Sequence, residues 1–306
     1  MTGRVLGVHG AQPATREALR QAGLDPDEVL GLLRAALAED LAQVGDLTSQ
    51  AIVPEDARTK VCFTARAAGV LCGITVLAAM VEDAIGPAAA FTATAVDGEH
   101  ISAGGRLATL KAPARAVLAL ERTALNLLSH LSGIASTTRQ WVDALDGTDV
   151  KVRDTRKTMP LLRSLEKYAV RCGGGTNHRA GLYDQILVKD NHVAVAGGVG
   201  AALDAVRAAH PDHDVPVQVE VDSLAQLDEA LDRGADQVLL DNFDLDTLRA
   251  AVRRVRSVAP TTVLEASGGL RLENARATAL TGVDLIAVGA LTQSAPALDI
   301  GLDTAS

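Results

Sequence analysis

Nine Lys or Arg crowd into residues 151–192 against four Asp or Glu. That local surplus of five positive charges sits in a chain whose formal net charge is −9. A basic island in an acidic protein suits a small polyanion better than a polymer, which recruits through excess charge over a whole face. Three clusters carry its chemistry: Thr155-Arg156-Lys157, Asn177-His178-Arg179 behind Gly173-Gly174-Gly175, and Lys189. Arg grips a carboxylate or phosphate through two parallel hydrogen bonds, whereas Lys acts as a mobile point charge. The glycine triplet lets the backbone turn tightly or approach a ligand closely. Arg163, Lys167 and Arg171 recur every four residues and read instead as the solvated face of a helix. His192 reads as a supporting or structural residue.

Glu220, inside VQVEVDS, and Asp241, inside VLLDNF, supply the opposite charge. A ligand that develops positive charge, such as a sugar becoming an oxocarbenium ion, would use them, and so would a magnesium-bound diphosphate. Ion pairing with the basic island is the plainer alternative. Further on, Ala266-Ser267-Gly268-Gly269 and Ala287-Val288-Gly289-Ala290 offer backbone N–H groups of the kind that hold a phosphate at the last strands of a barrel.

The elements that must position these residues follow from hydrophobic rhythm. Apolar strands recur at Val150–Val152, Gln185–Val188, Val215–Val221, Gln237–Leu240, Thr262–Leu264 and Leu285–Val288. Helical stretches lie between them, clearest at Leu224–Leu231 and Leu245–Val255, which implies a parallel sheet with right-handed crossovers. Each strand ends in something polar or in glycine: Asp154 with Arg156, Lys189, Glu220, Asp241, Ser267 and Gly289. Six such endings in succession favour a β/α barrel with one chemical mouth over a doubly wound sheet. Before residue 148 the pattern is mixed. Asp25-Pro26-Asp27-Glu28 reads as a helix start with a capping box, and Val61, Phe63 and Ala65 alternate as in a strand. Phe91–Val96 is another strand, closed by the Asp97-Gly98 turn. A helical stretch from Pro113 through Leu118, Leu125, Leu128 and Leu131 is expected to break near Gly133 and resume toward Trp141. The expected class is therefore α/β: an open parallel β/α barrel over 148–306, preceded by a smaller α/β sandwich-like domain over 1–147 that can also receive the carboxyl-terminal tail.

Composition narrows the function. The 306 residues are 48% hydrophobic and 22% charged, which excludes a disordered chain. An acidic balance and only six aromatics argue against nucleic-acid and anionic-membrane binding. Cys62, Cys72 and Cys172 show no CxxC spacing, so neither a disulfide framework nor a zinc knuckle is expected. The weakly polar run Ala67–Val81 stops at Glu82-Asp83, too short to span a bilayer. Arg4, His9, Gln12 and Arg16 interrupt the start of the chain where an export signal would need an apolar core. A soluble, cytoplasmic protein is expected.

The residues also carry a resemblance. Glu39-Asp40, Gly45-Asp46-Leu47-Thr48, ERTALNLLSHLSGIAS at 121–136, RDTRKT at 153–158, EKYAVRCGGGTNHR at 166–179, LVKDNH at 187–192, VEVDS at 219–223, LLDNF at 239–243, EASGG at 265–269, AVGALT at 287–292 and Asp299-Ile300-Gly301-Leu302-Asp303 occur in that order. Together they resemble the quinolinate phosphoribosyltransferase family, the carboxylating nicotinate-nucleotide pyrophosphorylases of NAD biosynthesis. The resemblance implies that quinolinate and phosphoribosyl diphosphate, with Mg2+, give nicotinate mononucleotide, diphosphate and carbon dioxide. It also implies a homodimer with sites at the interface, open to assembly into a hexamer. By motif, Arg156, His178, Arg179 and Lys189 resemble the quinolinate carboxylate binders, and Arg122 resembles an arginine donated by the neighbouring subunit. Lys157 would meet phosphoribosyl diphosphate, and Thr155 joins it in the first binding loop. Glu220 and Asp241 would hold ribose hydroxyls and metal, directly or through water, and stabilise the oxocarbenium-like state. Ala266, Ser267, Gly268, Ala287, Val288 and Gly289 would cradle the 5′-phosphate. Met159-Pro160-Leu161 departs from the family, where a small residue more often follows the proline; loop packing rather than chemistry should change.

Two other readings share part of the pattern. Lys189 at a strand end could form a Schiff base, making the protein a barrel lyase or aldolase. A metabolite binder without catalysis would keep the basic island, but it has no need of Lys157, Glu220 and Asp241 together.

Overall fold

The structure is a computed structural model that describes residues 6–212 and 215–304; Arg4, used above against an export signal, lies outside them. Two compact units emerge. The first takes the chain up to Thr137, then Met159–Gly174 and everything from Ser294 on; the second takes Thr138–Thr158 and Gly175–Gln293. Among the described residues no helix is long and apolar enough to cross a membrane.

In the first unit an antiparallel sheet is built from β1 (Arg58–Ala65), β3 (Ala90–Ala93), β5 (Arg106–Pro113) and the last strand, β12 (Ile300–Thr304), in the order β12-β1-β5-β3. The chain end is thus a working strand: Phe63 lies opposite Leu302 and Ala65 opposite Ile300. Two short strands, β2 (Gly69–Val70) and β4 (His100–Ile101), pair separately. The Asp97-Gly98 turn does more than reverse the chain. Asp97 accepts from Gly73 N at 2.6 Å and Ile74 N at 2.8 Å, capping the helix Ile74–Ala84. Its other oxygen takes the Tyr168 hydroxyl at 2.9 Å. A carboxylate at a helix amino end is favoured by both the orphan N–H groups and the dipole.

Three sequence expectations need correction here. Asp25 does cap the helix Pro26–Leu41, accepting from Asp27 N and Glu28 N, but Glu28 accepts from Ser164 Oγ at 2.8 Å instead of closing a capping box. The expected break at Gly133 is absent, for Ala114–Ala144 is one helix of 31 residues. Gly133 is there for close approach: a Cβ on it would lie 2.1 Å from the Pro296 carbonyl of the returning tail. Finally, Lys167 is not on a solvated face. It is 5% exposed, and Leu165–Val170 are all buried, so the helix Arg163–Cys172 is packed on more than one side.

The second unit contains all six expected parallel strands: β6 (Lys151–Arg153), β7 (Ile186–Val188), β8 (Val217–Val221), β9 (Gln237–Asp241), β10 (Val263–Ser267) and β11 (Leu285–Ala287). Their order is β6-β11-β10-β9-β8-β7. The first strand pairs with the last while every other neighbour is sequential, which is a circle opened at one joint. At that joint β6 and β7 do not pair; Arg153 of β6 is bridged instead to Thr176, in the segment ahead of β7. Strand centres such as Val238–Leu240 and Leu264–Ala266 are buried, and Glu265 is buried among them as a charged exception. Helix starts between strands are capped as their sequences allow: Ser223 accepts from Gln226 N and Asp244 from Thr247 N. Because the strands are parallel, their carboxyl ends share one rim.

Candidate active site

The rim begins where β6 ends. Thr155 Oγ1 accepts from Lys157 N at 3.0 Å, and Thr292 Oγ1 donates to the Lys157 carbonyl at 2.7 Å. The loops after β6 and β11 therefore lock together, as their neighbouring strands require. Gly289 is the reason they fit: a Cβ there would come within 2.8 Å of Lys157 Cδ and 3.6 Å of Thr155 Oγ1. Ala266, Ala287 and Val288 are buried, so only their backbone groups can serve a ligand; Val288 N already donates to Arg153 O at 2.9 Å. Gly268 has φ +86°, and a Cβ would fall 2.1 Å from Asn242 Oδ1. Asn242, itself at φ +57°, donates from Nδ2 to Asp241 at 2.6 Å. Ser267 lies beside Asp241 in the sheet register. The glycines thus clear space around Lys157 and Asp241.

Positive charge is concentrated by the loop after the glycine triplet. Asp154, fully buried, accepts from His178 N at 2.6 Å and from Asn177 Nδ2 at 2.7 Å, which fixes that loop to the end of β6. His178 Nδ1 accepts from Arg179 N at 2.7 Å, and Arg179 Nη1 donates to Gln185 O at 3.1 Å. Arg156 Nε and Arg179 Nε are both buried without a hydrogen-bond partner. Burial, and next the nearby Arg156 charge, pull the Arg179 guanidinium below the ordinary arginine range. Two guanidinium groups kept close and partly dry need an anion.

A different arrangement stands at β7, β8 and β9. Lys189 Nζ and Glu220 Oε2 are 2.5 Å apart, with the lysine side chain 45% exposed and the glutamate 12%. Burial first, then Glu220, raises the Asp241 carboxyl above the usual range, while Lys189 and Lys157 oppose the rise. His192 accepts from Lys189 N at 2.9 Å and so supports the start of the helix Asp190–Ala196. Lys189 is bound as an ammonium to a carboxylate, unlike the desolvated lysines that form Schiff bases.

The second unit therefore brings together Thr155, Arg156, Lys157, His178, Arg179, Lys189, Glu220 and Asp241 with the two glycine loops. Arg122 stands exposed on the helix Ala114–Ala144 of the first unit. Sequence reasoning passed over the layer beneath the mouth. Glu265 Oε2 accepts from Arg153 Nη1 at 2.8 Å and from Gln218 Nε2 at 3.2 Å. Arg153 Nε also donates to Asn177 O at 3.1 Å. Burial pushes the Glu265 carboxyl up, against the pull of Arg153. The signal was a glutamate inside the otherwise uncharged strand Val263–Ser267, where a charge is rarely left without a partner.

Comparison with known proteins agrees with this geometry. Residues 134–303 match the family model for the quinolinate phosphoribosyl transferase C-terminal domain, and residues 46–132 match the N-terminal domain. The chain is 50% identical over 278 residues to the nicotinate-nucleotide pyrophosphorylase [carboxylating] of Mycobacterium leprae, covering 90% of this chain and 97% of that one. It is 42% identical over 276 residues to a probable enzyme of the same name from Bacillus subtilis, covering 89% and 92%. The solved nicotinate-nucleotide pyrophosphorylase of Francisella tularensis superposes with a TM-score of 0.85 at 38% identity, over 91% of this chain and 96% of that one.

Proposed function

The chain belongs to the quinolinate phosphoribosyltransferase family, and on that premise we propose that it transfers a phosphoribosyl group from phosphoribosyl diphosphate to quinolinate with loss of carbon dioxide, the step that makes nicotinate mononucleotide for NAD. The observation that carries this reading is the pair of buried, unpartnered donors, Arg156 Nε and Arg179 Nε. A buried donor without a partner costs about 1–3 kcal/mol, more when charged. An adjacent dicarboxylate supplies acceptors for both arginines, which a single carboxylate does less well.

The residues divide the work by the sign of the charge they meet. Arg156, Arg179, His178 and Lys189 hold the two carboxylates and aim the ring nitrogen at the sugar. The nitrogen lone pair forms a bond to the anomeric carbon as that carbon's bond to diphosphate breaks, and the bonding pair leaves with the diphosphate. Lys157 meets the negative charge that builds on the leaving group. Glu220 and Asp241 face the positive ribosyl centre, where preorganised charge is most effective. The pyridinium then draws the electron pair of the adjacent carbon–carboxylate bond; carbon dioxide departs and the ring carbon takes a proton. The loops at 266–268 and 287–289 cradle the 5′-phosphate through backbone N–H groups.

The donor set fits a magnesium ion brought by the diphosphate. Asp241 and Glu220 are two carboxylates near each other, and among the described residues no three candidate ligands stand together. Magnesium characteristically takes one or two carboxylates and fills its remaining positions with phosphate oxygens and water. Bound there by Asp241 and Glu220, it would neutralise diphosphate charge. We place the enzyme in the cytoplasm as a homodimer in which Arg122 serves the partner subunit's site; a hexamer assembled from such dimers would preserve every shared site.

Mass-spectrometric detection of nicotinate mononucleotide from quinolinate, phosphoribosyl diphosphate and magnesium tests the reaction, and no product under these conditions would sink it. Co-expression tests the sharing. Arg122→Ala and Lys157→Ala homodimers should each be nearly inactive, while random mixing should recover about a quarter of wild-type activity through heterodimers with one complete site. Heterodimers no better than either parent would rule the shared site out. The lyase alternative is disfavoured by the Lys189–Glu220 ion pair and would require borohydride trapping of a carbonyl substrate on Lys189.

A further inference from the structure

The layer under the mouth joins three things that the reaction scheme leaves apart: a buried glutamate, an arginine from the first barrel strand, and the imidazole beside Arg179. Glu265 is fully buried. Its Oε2 is taken by Arg153 and Gln218, while its Oε1 has no hydrogen-bond partner. His178 Nε2 stands 3.6 Å from Oε1, longer than a hydrogen bond but a strong electrostatic contact where water is excluded.

The other face of that ring settles its protonation. His178 Nδ1 accepts from the backbone N–H of Arg179 at 2.7 Å. A nitrogen that accepts carries no proton, so the neutral ring must hold its proton on Nε2, facing Oε1. An ionised Glu265 presents an acceptor to that proton; burial opposes the ionisation and Arg153 favours it. Arg153 supplies the compensating charge, and Asp154 anchors the same loop through His178 N.

We propose that Glu265 is a positioning residue for quinolinate: with Arg153 it holds His178 as the neutral Nε2–H tautomer, whose Nδ1 then fixes the backbone of Arg179 and so the aim of the buried guanidinium. Glu265 touches no substrate in this scheme. It acts through a ring and a peptide N–H, and its effect falls on the binding of one substrate. This inference rests on the reaction proposed above for its kinetic test but not for its spectroscopic one.

Two experiments decide it. In Glu265→Gln the side-chain amide can place a donor against the Nε2 proton. The quinolinate KM should then rise about tenfold, with kcat and the phosphoribosyl diphosphate KM within about twofold of wild type. An unchanged quinolinate KM overturns the proposal, and so does a joint loss of kcat and both KM values with a lowered Tm, which is the signature of mere packing. The second readout needs no activity and no variant of Glu265. Imidazole 15N shifts of the wild-type chain near neutral pH, assigned by their loss in His178→Asn, should show the Nε2–H tautomer. An Nδ1–H tautomer or an imidazolium overturns the proposal even if Glu265→Gln fails to fold. A wild-type enzyme that makes no nicotinate mononucleotide would instead remove the assigned reaction and leave the tautomer result standing.

Discussion

Arg156 and Arg179 present buried Nε groups with no acceptor among the described residues, whereas elsewhere on the same rim Lys189 and Glu220 close on each other at 2.5 Å. On the function proposed above, the first cluster suits a charge that is always present on the ligand. Its donors are held dry and unpaired, at a cost to folding, so that a carboxylate gains their full strength on arrival. The second neutralises itself until it is needed. An ion pair whose lysine is 45% exposed costs little to keep and little to open, which suits Glu220, whose proposed partner charge exists only as the sugar–diphosphate bond breaks, and frees Lys189 for a carboxylate of the acid. On that proposal, permanent charge on the substrate meets an unsatisfied site, and transient charge a satisfied one.

Truncation should separate the two clusters. Arg179→Ala removes a group whose counterpart is a fixed carboxylate, so kcat/KM for quinolinate should fall by about a hundredfold, carried mostly by KM. The preference for quinolinate over nicotinate should shrink with it, since the wild-type site penalises a ligand that leaves a buried cation unpaired. Steady-state kinetics on both acids check this, and an undiminished preference would remove Arg179 from the carboxylate site. Glu220→Gln should act on the other side of the comparison. Turnover falls at least about tenfold while quinolinate binding stays near normal, because the lost interaction belongs to the transition state. Weaker quinolinate binding with full turnover at saturation would put Glu220 in the wrong cluster.

Each cluster was legible in the sequence to the degree that its residues punctuate strands. Lys189, Glu220, Asp241, Ser267 and Gly289 end apolar runs, and a parallel sheet sends such endings to one rim. Glu265 and Arg153 were passed over because they lie within strands and their partners, Gln218 and Asn177, are distant along the chain. The uninterrupted helix through Gly133 was illegible for a related reason: what demands the glycine is the Pro296 carbonyl of the tail. Lys167 misled because a four-residue period marks a polar stripe but not whether solvent or protein lies against it. The tautomer of His178 was beyond any pattern, since it depends on where one donor, Arg179 N–H, and one acceptor, Glu265 Oε1, stand around one ring.

The comparison between satisfied and unsatisfied charge extends to stability. In the first unit Asp83 is buried, which alone would raise its carboxyl, but two hydrogen bonds from Arg34 and one from Gly10 N hold it below the usual range. A depressed pKa contributes stability above the unfolded value that is lost as pH falls through the folded value. Asp83→Asn should therefore destabilise by about 2 kcal/mol near neutrality, and the deficit should shrink in acid. Asp241 has the opposite sign. Its raised carboxyl is disfavoured as a charge in the folded state, so its favourable contribution is present below the unfolded pKa and lost as pH rises through the folded one. Asp241→Asn should raise Tm slightly near neutrality, by about 1 °C once solvent screening at the rim is allowed for, while lowering turnover. Scanning calorimetry at two pH values checks both signs, and a Tm that falls in Asp241→Asn would show that its charge is better satisfied than Glu220 nearby allows.

The smallest effect concerns Leu161, five residues after Arg156. Its φ of +68° lies in the left-handed region, and its side chain is 85% exposed. Exposure means that little packing repays the backbone, and a branched residue there costs about 1–2 kcal/mol relative to glycine. Glycine gives back part of this through its greater freedom in the unfolded chain. Leu161→Gly should therefore stabilise by about 1 kcal/mol, a Tm gain of roughly 2 °C in a chain of this size. If the strain is only a local cost, kinetics on both substrates should stay within about twofold of wild type. If it is part of what keeps the Arg156 loop rigid, the same variant should gain stability and lose quinolinate affinity together. A stability gain with unchanged kinetics would confine the unsatisfied cluster's preorganisation to the buried contacts of Asp154, His178 and Gln185.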